Sequence, residues 1–370
     1  YGMKAAAGVI LVTTKRGTEG KTAINYKGSL TLSHATTLPK FMNGTHYMQW
    51  YNYARRMDGE KAYFTDEEIA MTTNGDPTDG FENTDWQEPI YRTTLMHQHN
   101  LSISGGGDKI SYYISLGMQD QKGMYKIRTD ELKRYNTMLS VNAKVNDWFT
   151  VAAKASYNVF DYEGPTQQTD GMNLWQYAKT YYPENFIYQP VLTGADDPLP
   201  NYVTENPVSY LYAGGRSVTS RRKTILSISP EFTILPKILK IKADLSFTPT
   251  SYQKEKTHPK QARVNNSWTA LETRWATENS GEVVRATTDR YAINVYADYN
   301  QTFKEKHNVS VLLGVNQEQE TYAGSTLYLT KMLDPYILNP ELVEDVTANT
   351  SSNYHHEVAS RALFGRIMYN

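Results

Sequence analysis

Read by twos, the chain sorts its residues into two unlike rows. In residues 109–119 the even positions are Ile110, Tyr112, Ile114, Leu116 and Met118, while the odd ones include Lys109, Ser111, Ser115 and Gly117. Residues 135–145 set Leu139, Val141, Ala143 and Val145 against Asn136, Ser140, Asn142 and Lys144. Residues 149–159 set Val151, Ala153, Ala155, Tyr157 and Val159 against Thr150, Lys154, Ser156 and Asn158. A period of two predicts strands with one apolar and one polar face. A water-soluble sandwich alternates in the same way. These runs, however, are about the 9 to 11 residues a tilted strand needs to cross a bilayer, against about 5 or 6 for an average globular strand.

The spacing of the strands adds a second constraint. The pattern predicts ten of them, over 21–32, 98–104, 109–119, 135–145, 149–159, 223–234, 239–247, 290–301, 308–317 and 359–370. Tight links at Gly105–Gly107 with Asp108, at Asn146, Asp147 and Trp148, at Leu235, Pro236 and Lys237, and over 303–306 alternate with long segments over 34–95, 120–130, 161–222, 248–289 and 318–358. Transmembrane barrels put short turns on one side and long loops on the other, whereas a sandwich has no reason to gather every long loop at one end. Two helical signals interrupt the first long loop, at 45–57 and at 65–72, where Thr65 with Glu68 fits a capping box and Asn74 with Gly75 ends the turn.

The faces of residues 239–247 agree with lipid on one side and water on the other: Leu239, Ile241, Ala243, Leu245 and Phe247 alternate with Lys240, Lys242, Asp244 and Ser246. Trp148, Phe149, Phe232 and Phe303 fall near the short links and Tyr157, Phe160 and Phe247 near the long ones, as two aromatic girdles would. In the last run Arg361 and Arg366 fall on opposite faces, so one of them belongs at an interface.

Composition then removes alternatives. With 38 Lys and Arg against 39 Asp and Glu there is no broad basic surface, and a nucleic-acid partner is not expected. Aromatics are 12% of the 370 residues and Tyr supplies 29, a bias suited to a membrane boundary or a sugar site. The absence of cysteine excludes disulfides and thiolate metal sites. The longest apolar run, residues 5–12, is far short of the roughly 18 that suggest a spanning helix. Any crossing must use strands. The chain begins at Tyr1 and stops at Asn370 within a strand-like run, and it reads as a fragment whose two edges would be unpaired in lipid.

The opening YGMKAAAGVILVTTKRG resembles the end of the plug domain in the SusC/RagA family of TonB-linked outer-membrane transporters. The stretch NTDWQEPIYRTTLMHQHNLSISGGGDKISYYISLGMQDQKGMY looks like the same family, in the same order after the first strand. The resemblance implies an all-β fold, a partial transmembrane antiparallel β-barrel of about ten strands, with residues 1–20 as the end of a plug and 21–370 as the first part of the barrel. A barrel of this plugged kind has about 22 strands, so much of the wall lies outside the chain. It also implies import across the bacterial outer membrane of an oligosaccharide, or in some members a peptide, under a SusD-like surface lipoprotein. The TonB-ExbB-ExbD complex would displace the plug, and outer-membrane lipid would surround the wall. A noncatalytic receptor or adhesin on a barrel is the alternative, and an outer-membrane hydrolase a weaker third.

No constellation supports catalysis, and neither a cofactor nor a metal is expected. His97 and His99 make at most half a metal site and read as a polar pair facing the lumen, and His355 and His356 read as loop residues. Gly105–Gly107 lacks the helix and Lys-Ser/Thr of a phosphate loop and reads as a hairpin turn. Asp76, Thr78, Asp79 and Glu82 depart from calcium-loop spacing and read as an Asx turn. The candidate substrate surface is aromatic. Trp175, Tyr177, Tyr181 and Tyr182 lie in the 161–222 loop with Asn173, Gln176, Asn185, Asp196 and Asp197 nearby, and Trp50 and Tyr51 lie in the first loop's helix. Rings that stack on sugar faces beside amides and carboxylates are the chemistry of glycan capture; packing of the loop on itself or on a partner lid explains the same residues.

Overall fold

The computed structural model describes residues 15, 17–75, 83–166, 207–208, 211, 214–260, 262–264, 271–273 and 277–370. The strands are β1 (Gly20–Ser33), β2 (Thr94–Gly106), β3 (Ile110–Lys122), β4 (Glu131–Lys144), β5 (Phe149–Pro165), β6 (Arg216–Leu235), β7 (Leu239–His258), β8 (Ala262–Val264), β9 (Leu271–Thr273), β10 (Ser280–Phe303), β11 (His307–Leu329) and β12 (Thr350–Tyr369). Ten of them form one sheet in the order β1-β2-β3-β4-β5-β6-β7-β10-β11-β12, and β8 with β9 makes a separate two-stranded ribbon. Every neighbouring pair is antiparallel. The strand ends joined by the links 107–109, 145–148, 236–238 and 304–306 lie at one end of the sheet, and those joined by 34–93, 123–130, 166–215, 259–279 and 330–349 at the other. The alternation of short and long connections read from the sequence is thus the topology of the chain.

Local chemistry closes the short turns. The Gly107 N–H donates to the Ile110 carbonyl at 2.9 Å. The Asn146 side-chain oxygen accepts from the Trp148 and Phe149 amides at 3.1 and 2.8 Å, an Asx turn. Lys304 and Glu305 are both left-handed (φ 50° and 59°), the backbone a tight hairpin needs to match strand twist.

The turn-side ends of the strands fall within two residues of the sequence expectation, but the far ends, apart from that of β1, do not. Strands of the main sheet run 13 to 24 residues, and β11 continues to Leu329 where the alternation stops at Gln317. Parts of 161–222, 248–289 and 318–358, expected as loop, are ladder. The expectation failed for a physical reason: above the lipid both faces meet water, so the period-two contrast fades while the backbone hydrogen bonds go on.

Register ties the apolar rows into one surface, because residues directly opposite on neighbouring strands share a face. Ile24, Ile103, Ile114, Leu139, Ala155, Leu226, Phe247 and Tyr291 form one row across eight strands. The row next below it, Gly105, Tyr112, Val141, Ala153, Ile228, Leu245 and Ile293, starts one residue from the turn end of β2 and finishes ten from that of β10. It climbs nine residues in six strand-to-strand steps. At about 3.4 Å per residue and about 4.8 Å between strands this is a tilt of roughly 45°, at the upper end of the barrel range.

The same register measures the height of the apolar face. On β3, β4, β5, β6 and β10 the first charged side chains on this face are Asp120, Lys133, Asp161, Arg222 and Asp289, ten to fourteen residues from the turn-side strand ends. With the tilt that is roughly 25 to 35 Å, against about 25 Å for the apolar band of an outer-membrane barrel. Nothing among the described residues covers this band: Ile241 and Leu245 are 39% and 40% exposed. Among the described residues the buried apolar side chains lie in the loops or at strand tops, in two small clusters around Trp86, Ile90, Val208 and Leu211 and around Leu329, Met332 and Val343, with Met48 on the first helix. A contiguous exposed apolar face this large is untenable in water and ordinary in lipid.

The two girdles are partly as expected. Trp148, Phe149 and Phe232 stack at the short-turn side, with ring centres 4.9 Å apart for Phe149 and Phe232, and Phe247 stacks on Tyr291 at 4.6 Å higher up. Phe160 is a correction. It stands opposite Arg134 on the polar face, with the guanidinium 5.3 Å above its ring. The two arginines of β12 are resolved as well: Arg366 is opposite Leu312 on the polar face, whereas Arg361 bonds Gln317 at 2.8 Å just above Leu363, at the border of the apolar band.

Candidate functional site

The polar face of the sheet is a wettable wall carrying both signs of charge. Lys240 donates to Glu231 at 2.6 Å, and Lys242 lies 3.3 Å from Asp298 and 3.7 Å from Glu231. Ser229 donates to Asp244 at 2.7 Å, Asn316 to Asn294 at 2.6 Å, and Arg290 pairs with Glu318 at 2.7 Å. These pairs are partly exposed, and such pairs contribute about 0–1 kcal/mol each. Their consequence is a face that water wets.

Above the wall, the first long loop holds α1 (Gly44–Met57) and α2 (Asp66–Asn74). The capping box of α2 forms as the sequence predicts, with Thr65 accepting from the Glu68 amide and Glu68 from the Thr65 amide, and Gly75 closes the helix at φ 65°. Successive helix residues point about 100° apart, so Trp50 and Tyr51 part company. Tyr51 packs among Tyr47, Tyr63 and Phe64 at 5.7–6.0 Å. Trp50 is 54% exposed, in line with Tyr53 one turn on. Buried Asn52 fixes this corner by donating to the Phe64 carbonyl and accepting from the Tyr63 and Phe64 amides, at 2.7 to 2.9 Å. Trp175, Tyr177, Tyr181 and Tyr182, and the acidic turn at Asp76, Thr78, Asp79 and Glu82, lie outside the described residues.

The histidines are corrections. His97 and His99 share the row parity of Leu101 and Ile103, so they stand on the apolar face, near its upper border, and not in the lumen. There Asp120 takes His97 (3.7 Å) and the Tyr26 hydroxyl takes His99 Nδ1 (2.6 Å), two local partners that make polar side chains tolerable at an interface. His355 and His356 are on β12, opposite Ala323 and Tyr322, where the faint alternation of the upper ladder had hidden a strand. Among the described residues no group of three or more His, Cys, Asp or Glu is arranged to hold a metal.

A layer of loop residues caps the tops of β2 to β6. Trp86 and Ile90 pack with Val208 and Leu211 against Tyr91, Tyr125 and Ile127, and the Tyr91 and Tyr125 rings stack at 6.0 Å. Burial pushes the Tyr125 hydroxyl up to about 12 and raises that of Tyr91 too. Asp130 is half-buried beside them; desolvation raises its carboxyl above the ordinary range although Arg92 opposes the shift. One further feature had no signal in the sequence: Arg128, Glu163, Arg216 and Tyr336, up to 208 residues apart, line one cavity.

Fold and faces together define a class: a tilted antiparallel section of transmembrane β-barrel wall, polar within, apolar without, and looped on one side. No protein-family model matches the chain. Among curated proteins it is 32% identical over 143 residues to the TonB-dependent receptor SusC of Bacteroides thetaiotaomicron, a match covering 38% of this chain and 12% of that protein. It is 24% identical over 380 residues, all of this chain and 34% of the relative, to the TonB-dependent receptor P3 of Formosa agariphila. Among solved structures it matches the RagAB peptide importer in its closed-closed state with a TM-score of 0.77 at 18% identity, over 100% of this chain and 42% of that one. The open-open state gives 0.73. The chain is of the SusC/RagA type of TonB-dependent receptors, as its opening and second motif suggested. It spans about a third or less of the length of these curated relatives, which are named as receptors rather than as enzymes.

Proposed function

We propose that the chain forms part of the wall of an outer-membrane importer that takes up an oligosaccharide or peptide by TonB-dependent transport. In this reading residues 1–20 end a plug and residues 21–370 are the first part of the barrel. A SusD-like lipoprotein covers the long-loop side, and the TonB-ExbB-ExbD complex acts from the periplasmic side, at the short turns. The observation that carries it is the apolar band continuous in register across the sheet, backed by a wall of paired charges on the opposite face. Hydrocarbon and water on opposite sides of one sheet mean a pore wall, and the kinship with TonB-dependent receptors supplies the energy source. Trp50 and the aromatics Trp175, Tyr177, Tyr181 and Tyr182 are the side chains assigned to cargo on the outer side, with Tyr51 as their support.

The test is uptake by cells carrying the full-length protein. Accumulation of labelled oligosaccharide or peptide that stops when TonB is deleted supports import. Surface binding that persists while nothing enters, with or without TonB, would replace it with a receptor or adhesin.

A further inference from the structure

The cavity at the long-loop end carries its own chemistry. It has a volume of about 360 Å³ and is lined by Arg128 and Thr129 from the β3–β4 link, Glu163 and Pro165 from the end of β5, Arg216 from the start of β6, and Tyr336 from the β11–β12 link. Four segments distant in sequence therefore converge on two guanidinium groups and one carboxylate. Glu163 pairs with Arg216. Arg128 makes two long hydrogen bonds, to the Gly214 carbonyl and the Tyr336 hydroxyl, both 3.3 Å, and its guanidinium lies 5.8 Å from the Tyr336 ring centre.

The backbone of Arg128 is the second observation. Its φ is 46°, left-handed and costly for a side chain with a Cβ, where Gly or Asn would sit more easily. Strain of this kind persists where the surroundings hold it. What the strained backbone achieves here is to aim a planar five-donor fork, only loosely bonded, into a cavity that already holds a second guanidinium. A fork of this kind matches carboxylate and phosphate oxygens in a bidentate way.

We propose that this cavity is an oxyanion-binding site, with Arg128 as its principal ligand, Arg216 as the second, and Glu163 as the group that holds Arg216 until an anion arrives. The oxyanion is a carboxylate or phosphate on a molecule at the cell surface. Glu163 lies two residues beyond Asp161 on a row that faces lipid lower down, so the site opens above the hydrocarbon. Two sources meet it there: the phosphorylated, acidic saccharide of a surface glycolipid, or a soluble acidic oligosaccharide arriving as cargo. This inference rests on the outward and inward faces assigned above but not on transport.

The experiment uses the purified full-length protein in nanodiscs, without TonB. One arm measures retention of lipopolysaccharide over phosphatidylethanolamine by native mass spectrometry; the other measures tetragalacturonate binding against its methyl ester by calorimetry. Arg128→Gly relieves the backbone while deleting the fork, so it is expected to leave thermal stability unchanged or raised and to weaken the preferred anion about 10-fold or more, the scale of a lost charged hydrogen-bond pair. Arg216→Gln is expected to weaken it as well, and Glu163→Gln to strengthen it. Loss in the first arm identifies the glycolipid, and loss in the second identifies soluble cargo. Preference for neither anion, or a preference that Arg128→Gly and Arg216→Gln leave intact, overturns the proposal. Because binding is read without uptake, that failure is distinct from a failure of import.

Discussion

Placing an arginine at Leu245 tests the two-solvent wall by energy. Leu245 lies six residues from the turn-side end of β7, between Ile228 and Ile293 in its row. With strands tilted by roughly 45° this is about 15 Å up, close to the middle of a band about 25 Å tall. An arginine at the midplane of the lipid face costs about 2–4 kcal/mol, falling to about 0–1 kcal/mol near an interface. Leu245→Arg is therefore expected to lower the folded-to-unfolded ratio roughly 30- to 700-fold. Ile241→Arg, four residues nearer the turn, sits close to the inner interface and is expected to cost about 0–1 kcal/mol. Ser246→Arg, one residue on but facing the charged wall, is expected to stay within about 0.5 kcal/mol of the parent. The assay is denaturant titration of the full-length protein refolded into lipid vesicles. Equal costs at 245 and 246 would refute the assignment of faces, and a cost at 241 as large as at 245 would refute the depth scale.

Two other outcomes follow from the loop layer. Asn52→Ala removes three hydrogen bonds from a buried amide and leaves the Tyr63 and Phe64 amides without their acceptor, so the corner at 60–64 should lose about 2–3 kcal/mol of local protection, read by hydrogen exchange, with the sheet unaffected. Asp130 is charged at a cost because desolvation raises its carboxyl; a raised acid destabilises the fold above its folded value and the penalty is relieved as pH falls through it, so protection of 123–130 should rise on acidification, and Asp130→Asn should raise it at neutral pH and remove that dependence.

What the sequence made legible depended on where contrast existed. Between hydrocarbon and water the rows of β3, β4, β5 and β7 alternate so cleanly that turn-side ends were read to within two residues. Past Gln317 and before Ala359 the chain still pairs, but Thr321, Ala323 and Ser325 on one face and Glu320 and Tyr322 on the other differ too little to show a strand. At His97 and His99 polarity points to the lumen, but both share the parity of Leu101 and Ile103, which puts them on the apolar face; what the sequence does not give is the cross-strand partners, Asp120 and Tyr26, that let them stand there. The capping box at Thr65 was legible because it is local. The cavity of Arg128 was not, since its members come from two links and two strand ends and no spacing connects Arg128 to Tyr336.

The central claim is that one sheet meets two solvents, and a nitroxide scan along β10 in the full-length protein in bilayers tests it most directly. Labels at 291, 293, 295 and 297 should be relaxed by oxygen dissolved in lipid, and labels at 292, 294, 296 and 298 by a water-soluble nickel chelate, reversing at every step. Two rows with the same response, or odd positions shielded from lipid and water alike, would contradict a membrane wall.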